Sequence, residues 1–106
     1  MKKLLCVCQQ GNIRSVALAR LLKSEGNDTI ACGVNANSQE TLKMLCEWAD
    51  KVLVVENSLA NGLPKGFEDK IVQMNIGGDI WNNTHHPDLE LVVRNCYYAK
   101  KANIWN

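Results

Sequence analysis

The sequence predicts an α/β domain in three layers, α/β/α, built on a four-stranded parallel sheet, and three features predict it. Short apolar runs recur through the 106 residues, at 4–7, 29–34, 51–55 and 71–76. The clearest of them are continuous rather than alternating, as strands buried on both faces are. Between the runs lie segments whose apolar residues return at helical spacing. Strands that alternate with helices form right-handed βαβ units, which place helices on both faces of the sheet.

The first strand, Leu4-Leu5-Cys6-Val7, gives way to the polar stretch Cys8-Gln9-Gln10-Gly11-Asn12-Ile13-Arg14-Ser15. Leu18, Leu21 and Leu22 then form the inner stripe of a helix over 16–22, and Gly26 is placed to stop it. Residues 29–34 make the second strand, and Asn35-Ala36-Asn37 the turn after it. Ser38 caps a helix whose buried stripe is Leu42, Leu45, Cys46 and Ala49. Val52, Leu53, Val54 and Val55 are the core of the third strand. A short helix over 57–61 and a surface loop marked by Gly62, Pro64 and Gly66 lead to the fourth strand, 71–76. After the long loop 77–84, Pro87 opens a last helix with Leu89, Val92, Val93 and Cys96 inward, and Lys100 and Lys101 suit its C-terminus. This is the doubly wound, flavodoxin-like or Rossmann-like arrangement, in which ligands bind beyond the carboxyl ends of the strands. Loops 8–15 and 77–84 both emerge there.

The length fits a single domain, residues 1–106, with no repeat, linker or low-complexity segment. Twelve Lys and Arg stand against 11 Asp and Glu, so no bulk charge attracts nucleic acid or an acidic membrane. No run approaches the roughly 20 apolar residues of a membrane span. Cysteine is present in odd number, at Cys6, Cys8, Cys32, Cys46 and Cys96, mostly in apolar runs that suit buried thiols rather than a disulfide framework. Met1-Lys2-Lys3-Leu4-Leu5 opens like a secretory signal, but Gln9-Gln10-Gly11-Asn12 interrupts the apolar region early. The expectation is a soluble cytoplasmic protein with neither a nucleic-acid nor a membrane partner; the oligomeric state is left open.

The loop after the first strand carries the chemistry. A loop between a strand and a helix N-terminus presents successive backbone N–H groups to an anion, and the helix dipole adds positive potential. Gly11 lets such a loop curl until its amides converge. Cys8 at its mouth feels the same field, which lowers a thiol from the free value of about 8.5 toward the ~3.5–7.5 known at helix N-termini and beside cations. Arg14 offers a planar fork for two equatorial phosphoryl oxygens. Ser15 is placed to donate a hydrogen bond to the thiolate and make it a better leaving group. Residues 9–15, Gln9, Gln10, Gly11, Asn12, Ile13, Arg14 and Ser15, are thus the candidate phosphate cradle, and Cys8 the nucleophile.

Cys8, five residues, then Arg14-Ser15 directly after the first strand resembles the signature of the low-molecular-weight protein tyrosine phosphatases, in particular their short bacterial relatives. The likeness continues through Trp48-Ala49-Asp50-Lys51-Val52-Leu53-Val54-Val55-Glu56. It also reaches Ile76-Gly77-Gly78-Asp79-Ile80-Trp81, which resembles the family's acidic loop with one residue inserted. The resemblance implies that Asp79 is the general acid. Three departures accompany it: Gly11 and Asn12 are third and fourth after the cysteine where the family places Asn third, Ile13 replaces a second loop cysteine, and the acidic loop lacks its proline. The segment after the second strand is also short, which takes away one wall of a tyrosine pocket.

The function expected is a phosphomonoester hydrolase acting through a cysteinyl-phosphate on a phosphoprotein or a small phosphate ester, with no metal or other cofactor. Two alternatives stand beside it: a phosphoryl carrier resembling the IIB modules of sugar phosphotransferase systems, and a weakly active phosphate-binding or arsenate-reductase-like relative. The carriers also bear a cysteine after the first strand, but no arginine at this spacing. Trp81 either lines the pocket or packs over the sheet edge. Asp88, behind Pro87, rivals Asp79 but suits a helix first turn. Cys6 reads as a core thiol rather than a redox partner, Trp48 as core, Tyr97-Tyr98 as a packing pair, and His85-His86 as surface residues rather than metal ligands.

Overall fold

The computed structural model describes residues 2–10, 13–76 and 86–105, without the side chains at 103 and 105. Its sheet contains β1 (Lys3–Cys8), β2 (Asp28–Gly33), β3 (Lys51–Val54) and β4 (Ile71–Gln73), in the order β2-β1-β3-β4 with every neighbouring pair parallel. The helices are α1 (Arg14–Ser24), α2 (Gln39–Trp48) and α3 (Pro87–Trp105), with short 3-10 helices at Asn57–Gly62 and Glu68–Lys70. The chain steps one way from β1 to β2 and the other way from β2 to β3. Right-handed crossovers therefore set α1 and α2 on opposite faces. α1 packs on β1, β2 and α3, which gives the expected three layers.

β1 is central and apolar for that reason: Leu4, Leu5, Cys6 and Val7 are all fully buried between the helical layers. Ser38 caps α2 by accepting a hydrogen bond from the Thr41 N–H at 3.2 Å. Past the end of α1, Gly26 takes φ +93°, and its N–H bonds the Lys23 carbonyl at 3.0 Å. That left-handed conformation is one that a side chain would strain.

Most other ends lie within two residues of the sequence reading, and four differences carry a physical reason. α1 begins at Arg14, two residues earlier, because the helix absorbs the end of the polar loop. β3 ends at Val54, although the Val55 N–H still bonds the Val7 carbonyl at 3.0 Å. β4 stops at Gln73 rather than Ile76, since Asn75 turns to φ 56° and breaks the ladder; Met74 and Ile76 nevertheless donate to the Val54 and Val55 carbonyls, each at 2.8 Å. α3 runs on to Trp105, so Lys100 and Lys101 lie inside it and not at its end. Tyr97 is buried and Tyr98 exposed, the packing pair expected of adjacent helical residues.

Candidate active site

The strand order reverses at β1, and in open α/β sheets the crevice at such a switch point is where ligands bind. Cys8 is the last residue of β1, at the carboxyl edge of the sheet. Its carbonyl accepts from the Val34 N–H at 3.1 Å, and the Gln9 carbonyl from the Asn35 N–H at 2.9 Å, so the turn after β2 holds the start of the loop. Gln9 and Gln10 are exposed. Gly11, Asn12, Asp79 and Trp81 lie outside the described residues.

The loop re-enters at Ile13, whose carbonyl accepts from the Ala17 N–H at 3.0 Å while its own backbone is non-helical. An isoleucine has no side-chain acceptor to cap α1, and the first turn holds no acid. Most helices satisfy their first N–H groups with a Ser, Thr, Asp or Asn at this position. Among the described residues neither Ile13 nor a first-turn acid does this for α1, and the dipole at that end favours negative charge.

Arg14 and Ser15 follow as the first two residues of α1, and both are buried. Ser15 Oγ lies 3.0 Å from Cys8 Sγ. A protonated thiol donates across that contact; once it is ionised the hydroxyl donates instead, so one geometry serves both states. Arg14 is 1 % exposed, and its Nη1 donates to Oε1 of Glu56 in an ion pair. Leaving a charge this deep without compensation is strongly destabilising, which accounts for an acid at the site. Sequence reasoning missed Glu56 as a site residue. The signal was there: it is the first polar residue after the apolar end of β3, the strand beside β1.

Burial raises the thiols of the other four cysteines. Burial raises the Cys6 thiol far above the ordinary range, helped by the neighbouring Cys32 and Cys8 sulfurs. Burial, with Cys46 and Cys8 nearby, pushes Cys32 up to about 12. Burial also raises Cys46 and Cys96, against the opposing charges of Lys70 and Lys100. Cys8 is thus expected to be the first thiol alkylated by iodoacetamide at neutral pH, with phosphate or vanadate protecting it. Mass spectrometry of the time course checks this; another cysteine modified first, or no protection by oxyanions, rules out the cradle.

Asp88 sits exposed in the first turn of α3, where its N–H donates to His86 Nδ1 at 3.1 Å. His85 lies outside the described residues, and among those described no group of three His, Cys, Asp or Glu gathers as a metal site. Nor is any described helix long and apolar enough to cross a membrane.

Neither a family model nor a curated protein matches the chain. Solved structures do. The YwlE arginine phosphatase from Geobacillus stearothermophilus superposes with a TM-score of 0.58 over 100% of this chain and 97% of its own, at 18% identity. Wzb from Vibrio vulnificus, in complex with benzylphosphonate, gives 0.61 over 97% of each chain at 21% identity. A YwlE mutant with serine in place of cysteine, phosphorylated at that active-site serine, gives 0.60 over 93% of this chain and 95% of its own, at 19% identity. With its parallel sheet in the order β2-β1-β3-β4 and its helices on both faces, the chain has the fold of the low-molecular-weight protein tyrosine phosphatases.

Proposed function

We propose that the chain is a cysteine-dependent phosphomonoester hydrolase. The observation that carries this reading is the grouping of Cys8, Ser15 and the buried Arg14 at the N-terminus of α1, with Sγ 3.0 Å from the serine hydroxyl. In the first step the Cys8 thiolate attacks phosphorus; the S–P bond forms as the P–O bond breaks, and the leaving oxygen takes a proton from Asp79. In the second step the Asp79 carboxylate removes a proton from water, whose oxygen attacks phosphorus and expels the thiolate. The Ser15 hydroxyl steadies that thiolate, while Arg14 and the loop amides balance the phosphoryl charge in both steps.

The thiolate supplies the nucleophile, so a metal is not required. Arg14 also separates this reading from that of a phosphoryl carrier, which must hold its phosphocysteine rather than hydrolyse it. Support from the neighbours is of the same kind: one accepts phosphate on the residue that replaces its cysteine, and another binds a phosphonate. Their names widen the substrates to be tried, from phosphotyrosine and small esters to phosphoarginine. Five free thiols accord with a cytoplasmic location.

The test is to trap the intermediate. Wild-type protein turning over nitrophenyl phosphate in the presence of a chelator, quenched in acid and digested, is expected to carry phosphate on Cys8, with fragment ions separating it from Cys6. Phosphate on another residue, or turnover that stops with the chelator, overturns the proposal.

A further inference from the structure

We infer that Glu56 is a positioning residue for Arg14, and that its negative charge limits how tightly the cradle holds phosphate. The inference rests on the phosphatase reading and adds a residue to it.

Glu56 is fixed on both sides by backbone. Ahead of it, the Val55 N–H bonds the Val7 carbonyl at 3.0 Å and the Val55 carbonyl accepts from Ile76 at 2.8 Å; behind it, the Glu56 carbonyl accepts from Leu59 at 3.2 Å, opening the 3-10 helix. Its carboxylate thus stands at the carboxyl edge of β3, next to the strand that ends in Cys8. It reaches Arg14 Nη1 through a hydrogen bond between side chains 42 residues apart in sequence.

Two consequences follow from that contact. A guanidinium must present its plane to two phosphoryl oxygens for bidentate binding, and a carboxylate gripping one Nη from a rigid strand end sets that plane before substrate arrives. The same carboxylate, 32 % exposed, sets a negative charge against the cation that is to receive a phosphate dianion. It therefore offsets part of the attraction. A cradle without it holds inorganic phosphate more firmly and releases product more slowly.

Glutamine separates the two effects, since its side-chain oxygen still accepts from Nη1 but carries no charge, whereas alanine removes both. Glu56→Gln is expected to bind inorganic phosphate about tenfold tighter by titration calorimetry. KM for an aryl phosphate should fall with it while kcat does not rise. Glu56→Ala is expected to lose about 10²-fold in kcat, the size of loss that a small misplacement of a catalytic group brings. A residue that only neutralises a buried cation for folding lowers the melting temperature in both variants and moves neither constant.

Unchanged phosphate affinity in Glu56→Gln overturns the inference. So does a folded Glu56→Ala with kcat within threefold of wild type. If Glu56→Ala does not fold, the phosphate affinity of Glu56→Gln decides alone. Wild-type protein that binds phosphate yet forms no phosphocysteine refutes the hydrolase reading instead, and the calorimetry tells the two failures apart.

Discussion

Arg14→Lys is expected to lower turnover of an aryl phosphate by about 10³-fold, the low end of what an arginine supplies to phosphoryl-transfer transition states. Charge is kept in this variant, so charge alone is not what the site uses. A guanidinium has five donors in a planar fork and can answer the Glu56 carboxylate and a phosphoryl group at once. An ammonium at the same depth is a compact point charge, and next to Glu56 it settles on the carboxylate. The buried cation stays paired, so the fold is expected to persist, and circular dichroism checks that it does. Steady-state kcat then decides: turnover within tenfold of wild type removes Arg14 from the chemistry, whatever its place in the structure.

Most of the fold was legible because the signals that make it are local. Continuous apolar strands such as residues 51–55, a serine at the start of α2 and a glycine past the end of α1 each state their own structure. The boundaries that moved depend on tertiary contacts instead. Ile76 is apolar and reads as strand, but Asn75 turns left-handed while Ile76 still docks on Val55, so the ladder ends without the burial ending. Lys70 is similar: it looks like a solvated charge, yet its Nζ donates to the Cys46 and Ala49 carbonyls at 3.0 and 2.8 Å and satisfies the end of α2.

The candidate site divides in the same way. Cys8, Arg14 and Ser15 lie within eight residues, and their spacing announced them. Glu56 comes from a different strand, and only the β1 and β3 register, with Val7 opposite Val54, brings it to the arginine. An acid two residues past an apolar strand is common in any sequence; its meaning depends on which strand lies alongside.

The acid is the residue whose test has the second large effect. Asp79, which lies outside the described residues, is the acid that the resemblance nominates; the last described residue before it, Ile76, donates to the Val55 carbonyl. Nitrophenolate is a good leaving group and needs little protonation, whereas phenolate is poor and gains about 10²–10⁴ in rate from a placed proton donor. Asp79→Asn is therefore expected to slow cysteine phosphorylation by phenyl phosphate by about that factor and by nitrophenyl phosphate far less. Asp88→Asn should alter neither, because Asp88 serves the first turn of α3 and is exposed there. Single-turnover rates on the two esters make the comparison. Equal losses on both deny Asp79 the role of acid, and a loss at Asp88 that grows with leaving-group pKa transfers the role to the helix.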